Sequence, residues 1–190
     1  MKLYTGKGDF GETYDLSGKK YSKDSPVINL LGTLDELNSG LGLVKAMLSN
    51  DDAWQIMGKT ACNFISKIQK TLMKLMSHIS DNKNEKYFLN DSDVSIIEKE
   101  IDRLSENIPK QHELIIPGKN IIEAQIQITR AVARRAERLF FAVKNEKSPQ
   151  FVTICPQAGS YLNRLSDYLF VLSQQESLIN VNFINQITGL

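Results

Sequence analysis

Four arginines crowd nine residues of an otherwise apolar segment, Arg130-Ala-Val-Ala-Arg134-Arg135-Ala-Glu137-Arg138. Arg130, Arg134 and Arg138 recur every four residues, so on a helix they stack along one face. Like charges stacked that way repel by roughly a few tenths of a kcal/mol per pair. A helix that keeps them usually has an anion to hold. The planar guanidinium fork suits a carboxylate or, better, a polyphosphate. The alternative is a solvated face with one internal Arg134–Glu137 pair.

Three other groupings could do chemistry. Near the start, Thr5-Gly6-Lys7-Gly8-Asp9-Phe10-Gly11-Glu12-Thr13 spaces glycines so that backbone N–H groups can turn inward toward phosphate oxygens, with Lys7 and threonine hydroxyls nearby. Its spacing is not that of the nucleotide-binding P-loop, and no strand precedes it. A flexible tail rich in turn residues would read the same way. In Gly32-Thr-Leu-Asp35-Glu36-Leu-Asn38, Asp35 and Asn38 share a helical face while Glu36 points elsewhere. Asp35 lies between Leu34 and Leu37, so at the edge of a core it needs a partner, which the arginine segment could supply. An exposed acidic turn is the alternative. Finally, Asn163, Asp167 and Phe170 form one stripe of a helix and offer an amide, a carboxylate and an aromatic ring in a row. Read more simply, Arg164–Asp167 is a surface pair and Phe170 is core.

The elements that must position these groups are helical. Residues 1–24 form an irregular, glycine-spaced arm with no helical period. Ser25-Pro26 is a helix start, with Ser25 able to cap and Pro26 at a position where a missing N–H costs nothing. The apolar spacing of Ile28, Leu31, Leu34, Leu37, Leu41 and Val44 carries that helix to about Ser49. Gly32, Gly40 and Gly42 inside it cost about 1 kcal/mol each against alanine. Close packing on another helix or a ligand would account for them. A second helix is expected from Asp51-Asp52 to about Ser80, and a polar linker covers residues 81–90. A third helix starts at Asp91 or Ser92 and stops before Pro109. The Leu114-Ile-Ile-Pro117-Gly118 loop leads into the arginine helix, expected over about Asn120–Lys144. After a break at Pro149, a last helix runs from about Pro156 to Ser177, with the tail beyond it unassigned. The expected fold class is all-α: an antiparallel five-helix bundle with an irregular N-terminal arm, in a single domain over residues 1–190.

Composition narrows the function. Twenty-three basic and 22 acidic residues leave a formal charge of +1. A general nucleic-acid or anionic-membrane binder should carry a basic excess, so any anion site is local. Cys62, Cys155, His78 and His112 have no metal-like spacing, which argues against a zinc or iron–sulfur site and a disulfide-stapled secreted fold. No signal-peptide core or run of transmembrane length appears, so the expected location is cytoplasmic.

Together the groupings resemble the PduO-type ATP:cob(I)alamin adenosyltransferases. The matching stretches are Thr5-Gly-Lys-Gly-Asp9-x-Gly11-x-Thr13, Asp35-Glu-Leu-Asn38, Ile116-Pro117-Gly118, Arg134-Arg-Ala-Glu-Arg138 and Asn163-Arg-Leu-Ser-Asp167, in the family's order. Residues 50–110 match mainly in length and helical character. The resemblance implies a five-helix bundle assembled as a homotrimer with active sites between subunits. It implies transfer of the 5′-deoxyadenosyl group of ATP to cobalt, with release of triphosphate. Reduced cobalt(I) is then the nucleophile, and the protein's tasks are positioning, leaving-group stabilisation and protection of cobalt.

By the same resemblance, Thr5, Gly6, Lys7, Gly8, Thr13 and Lys23 wrap the nucleotide. Arg134, Arg135, Glu137, Arg138 and Asn163 match nucleotide-site positions. Arg134 takes the leaving-group charge, with Mg²⁺ sharing the triphosphate and no residue assigned as a protein metal ligand. Asp35 and Arg130 match a pair that joins neighbouring subunits at the site, and Leu114 and Phe170 fall on the cobalamin side. A cobalt reductase and an adenosylcobalamin-dependent enzyme are the further partners it leaves room for.

The chain departs from the family at three places. Leu114 stands where the family often has an aromatic that helps detach the lower base from cobalt. Lys119 follows Gly118 where a second glycine is usual, and Gln127 replaces the histidine of Leu-His-x-x-Arg. The competing functions are an ATP- and cobalamin-binding sensor or carrier without turnover, and a helical assembly protein whose arginines only join subunits.

Overall fold

Leu30, Leu34, Leu37, Leu41, Val44 and Leu48 recur at intervals of three and four residues, and all are buried. They form the inner stripe of α1 (Pro26–Ser49). Each such side chain contributes about 1.5–3 kcal/mol when removed from water, which outweighs the helix-weakening glycines between them. The computed structural model describes residues 4, 6, 8–51, 54, 58–81, 84–106, 108–109, 114–145 and 156–188, with side chains as far as 179. The expectations that fall on Thr5, Lys7, Asp52, His112, Pro149 and Cys155 lie outside the described residues.

Four more helices follow: α2 (Gly58–Ser80), α3 (Asp91–Ser105), α4 (Ile121–Asn145) and α5 (Gln157–Thr188). Helix α1 lies between α2 and α4, and α5 lies between α4 and α3. Side-chain contacts give the directions. Lys45 reaches Ser66 while Ser49 meets Cys62, so α1 and α2 are antiparallel. Gly159 packs on Phe141, Asn163 meets Glu137 and Ser173 meets Gln127, so α4 and α5 are antiparallel. Gln157 meets Asp91 and Gln175 meets the Leu104 carbonyl, so α3 and α5 run parallel. An odd number of helices that alternate up and down brings two of the same sense side by side. One apolar cluster runs through the bundle from Val27 to Leu172. No helix among the described residues is long and apolar enough to cross a membrane.

Helix starts differ in detail from the expectations. Ser25 occupies the N-cap position of α1 and Pro26 its first turn, but the Ser25 side chain makes no cap hydrogen bond. Helix α3 starts at Asp91, one of the two expected starts, and its cap Asn90 forms a reciprocal capping box with Asp93. Helix α2 is described from Gly58 rather than Asp51; the Trp54 N–H closes a tight turn back to the Asp51 carbonyl at 3.1 Å, and the indole is buried. Helix α5 continues to Thr188, through the tail that the weak apolar pattern left unassigned. Within the arm, β1 (Glu12–Tyr14) and β2 (Lys20–Ser22) form an antiparallel hairpin, with Thr13 opposite Tyr21. Three-residue strands are too short to show alternation, so the arm reads as irregular in sequence.

The glycines of α1 separate by environment. A Cβ on Gly40 would lie 3.2 Å from Thr129 Oγ1 and 3.4 Å from its Cγ2, so this glycine lets α1 approach α4. A Cβ on Gly32 would meet nothing within 4 Å. Gly32→Ala is therefore expected to raise the chain's stability to urea by up to about 1 kcal/mol, the helix-propensity difference. Gly40→Ala is expected to lose that gain to the contact with Thr129, and parallel urea melts separate the two.

Tyr168 is wholly buried, and its hydroxyl makes no hydrogen bond among the described residues. Burial first, and the nearby Glu100 carboxylate second, push the phenol well above its ordinary range. The folded state then keeps a proton that unfolded tyrosine gives up near pH ~10, so stability falls as the solution becomes more alkaline than that. Tyr168→Phe is expected to leave the urea midpoint at pH 7 undiminished and to flatten its alkaline decline.

Candidate functional site

Helix α4 is buried along Ile126, Thr129, Val132, Ala133, Ala136, Phe140 and Val143. The period of that stripe turns Arg134, Arg135 and Arg138 to the exposed side and leaves Arg130 half-buried at its edge. Among the described residues neither Arg134 nor Arg138 has a hydrogen-bond or ion-pair partner. The internal Arg134–Glu137 pair is not formed. Glu137 instead accepts from Asn163 Nδ2 at 3.0 Å, across the α4–α5 groove. Arg164 pairs with Asp167 at 3.3 Å, as the spacing suggests. Phe170 is 39% exposed rather than core.

Arg135 pairs with Glu36, not with Asp35. Asp35 is exposed and without a partner among the described residues. Within one chain Asp35 and Arg130 are not brought together. Gly40 of α1 packs on Thr129, the residue before Arg130, and Arg130 Nε donates to Gln127 Oε1 at 2.7 Å. The half-exposed Arg135–Glu36 pair contributes about 0–1 kcal/mol and does not by itself fix the arginine face.

In the arm, Gly6, Gly11 and Gly18 adopt positive φ, a conformation that a side chain would strain. The Asp9 N–H returns to the Gly6 carbonyl at 3.3 Å, and the Lys23 N–H to the Gly11 carbonyl at 2.8 Å. These turns bring Lys23 back over the glycines, since a Cβ on Gly8 would sit 3.2 Å from Lys23 Nζ. Gly8 and Lys23 are thus brought together, with Thr13 half-buried on the hairpin beside them. Thr5 and Lys7 lie outside the described residues.

Loop 114–120 exposes apolar side chains: Leu114 is 99% and Ile116 84% exposed. Its turn at Gly118 has φ +107°, open to glycine alone at little cost. Wholly buried Glu123 holds that turn, accepting from the N–H groups of Gly118 at 2.7 Å and Lys119 at 3.2 Å. Asn120 caps α4 through the Glu123 N–H at 2.8 Å and donates to Glu176 on α5 at 2.8 Å. The sequence places Asn120 only at a helix start and Glu36 only off the Asp35–Asn38 face, and it gives Glu123 no role. The Asn120-x-x-Glu123 spacing of a capping box was the signal for the first two. Among the described residues no group of three His, Cys, Asp or Glu side chains could hold a metal ion.

These features define a helical-bundle protein with an exposed cationic face on α4 and a glycine-turned N-terminal arm. The family model for cobalamin adenosyltransferase matches residues 3–176, and the chain belongs to that family. It is 34% identical to a corrinoid adenosyltransferase of Bacillus subtilis over 92% of this chain and 86% of that one. It is 30% identical to the corrinoid adenosyltransferase PduO of Citrobacter freundii over 93% of this chain, which spans half the length of that relative. The fold also matches a variant PduO-type ATP:corrinoid adenosyltransferase from Lactobacillus reuteri complexed with cobalamin and ATP. That match has a TM-score of 0.82 at 25% identity and covers 94% of this chain and 95% of that one.

Glu123→Ala is expected to release the Gly118 and Lys119 amides, seen as faster hydrogen exchange at both. The loss of stability should be about 1–3 kcal/mol, the range for bonds to a charged or buried partner. Glu123→Gln, which keeps an acceptor oxygen, should preserve most of the protection.

Proposed function

We propose that this chain transfers the 5′-deoxyadenosyl group of ATP to the cobalt of a reduced corrinoid and releases triphosphate. The observation that carries this reading is the arginine face of α4, where Arg134 and Arg138 stand exposed and without a partner among the described residues while Glu137 is held by Asn163. A protein that used these arginines only for internal structure would have paired them. Family membership and the ATP- and cobalamin-bound relative support the same assignment.

In this reading a cobalt–carbon bond forms at C5′ as the C5′–oxygen bond breaks, and the electron pair of that bond leaves with triphosphate. Cobalt(I) supplies the nucleophile, so the chain has no base to provide. Arg134 lies where charge develops on the leaving group, and Arg135 and Arg138 extend the cationic face along the polyphosphate. The arm, through Thr5, Gly6, Lys7, Gly8, Thr13 and Lys23, closes over the nucleotide. Glu137 and Asn163 together set the polar edge of the groove. Mg²⁺ enters on the triphosphate as part of the substrate. Leu114 and Phe170 give the apolar surface for the corrinoid. Asp35, exposed and without a partner among the described residues, is available to Arg130 of a second copy, which makes a homotrimer with shared sites, in the cytoplasm, part of the proposal.

The test is an anaerobic spectrum of the protein with chemically reduced cob(I)alamin and MgATP, beside an Arg134→Ala control. Conversion to adenosylcobalamin is expected, and the control should lose about two to three powers of ten in rate while its helical circular dichroism stays intact. Near-normal turnover in the control would remove Arg134 from its role. ATP binding without conversion in the unaltered chain would favour a sensor or carrier.

A further inference from the structure

Gln127 is a buried amide with both ends used. It is 5% exposed, and its neighbours Ser173 and Gln174 are 0% and 3% exposed. Arginine has no acceptor, so the Gln127 atom 2.7 Å from Arg130 Nε must be the oxygen, Oε1. The amide nitrogen is thereby turned toward Ser173 Oγ, 2.9 Å away. Gln174 Nε2 also donates to that hydroxyl, at 3.1 Å. With both of its lone pairs taken, Ser173 Oγ sends its one proton to the Phe170 carbonyl at 2.7 Å. Every hydrogen-bond direction from Arg130 to Phe170 therefore follows from the arginine. The antiparallel register that joins Glu137 to Asn163 and Gln127 to Ser173 also sets Arg130 level with Phe170 across the groove.

We propose that Gln127 is a positioning residue that aims the Arg130 guanidinium and, through Ser173, sets the turn of α5 that presents Phe170. The inference rests on the adenosyltransferase reading, which gives Arg130 to the subunit joint and Phe170 to the corrinoid. One buried amide then aligns the two halves of the site. Its bond to Ser173 lies in the buried interior, where an unmade hydrogen bond keeps its full desolvation cost.

Two substitutions separate the two ends of this chain. Gln127→Met removes both bonds. Gln127→Glu keeps the shape and holds Arg130, but it brings only acceptors. It therefore competes for the Ser173 proton and draws it from the Phe170 carbonyl. In ¹⁵N-labelled protein the Arg130 Nε–H signal is expected to be protected from exchange, to lose that protection in Gln127→Met and to keep it in Gln127→Glu. In steady-state kinetics Gln127→Met is expected to lower kcat by up to about a hundredfold, the scale of a misplaced reacting group. Gln127→Glu is expected to raise the KM for the corrinoid several-fold with the KM for ATP unchanged.

A purely structural amide would lower the melting temperature of Gln127→Met with the kinetic constants and the Arg130 signal unmoved, and that result would overturn the proposal. A corrinoid KM unchanged in Gln127→Glu would overturn the Ser173 arm of it. Should the unaltered chain make no adenosylcorrinoid while the Arg130 signal still responds to Gln127→Met, the reaction assignment fails and the hold on Arg130 stands.

Discussion

Helix α4 is packed on two sides at once, by α1 and by α5. Its inward residues Ala133 and Ala136 are wholly buried, and α1 comes so close at Gly40 that a Cβ there would lie 3.2 Å from Thr129 Oγ1. A helix enclosed in this way has one free face. Arg134, Arg135 and Arg138 fall on that face with Arg130 at its edge, and the packing gives Arg135 a partner in Glu36 while Arg134 and Arg138 have none among the described residues. That constraint sets the rest of the site. The groove beside the arginines is walled by α5, whose Asn163 reaches Glu137, and the face beyond them is walled by α1, whose Glu36 reaches Arg135.

A second constraint comes from the polar residues inside the bundle. Ser173, Gln174, Gln175 and Glu176 follow one another on α5, and all four are buried. A run like that is costly unless its groups are paired. Gln175 satisfies an end carbonyl of α3 at 2.6 Å, Glu176 accepts from the cap of α4, and Ser173 accepts from Gln127. The bonds join three helices near the start of α4, where loop 114–120 enters. The loop's exposed leucine and isoleucine are therefore carried on a base anchored by Asn120 and Glu123.

Much of this was legible in the residues. Periodic leucines announced α1, the Pro117-Gly118 turn announced the start of α4, and the arginine spacing gave its free face. What stayed hidden depends on distance in space. Asp35 and Glu36 are adjacent carboxylates, and only the packing of α1 on α4 shows that Glu36 meets Arg135. The arm's hairpin has strands of three residues each, too short for a period. The continuation of α5 carries isoleucine, valine and asparagine with no strong helical stripe, so nothing local required it. Glu137 shows the same limit from the other side. Its nearest arginine in sequence is not its partner, because Asn163 approaches from another helix.

That last exchange bears on how the proposed reaction is helped. Where the substrate brings its own nucleophile, a protein accelerates the step only through interactions that strengthen as the leaving group gains charge. An arginine already paired with a neighbouring carboxylate would have to give up that pair first, and the gain would be reduced by the loss. Asn163 removes Glu137 from competition by giving it a neutral partner at 3.0 Å. Among the described residues Arg134 and Arg138 are then left without partners, and in the proposed reaction an incoming triphosphate would relieve their repulsion, the more so as its charge grows on separation. The amide on α5 would thus serve Arg134 and Arg138 without touching them, by holding the carboxylate on their own helix that lies nearest in spacing to Arg134.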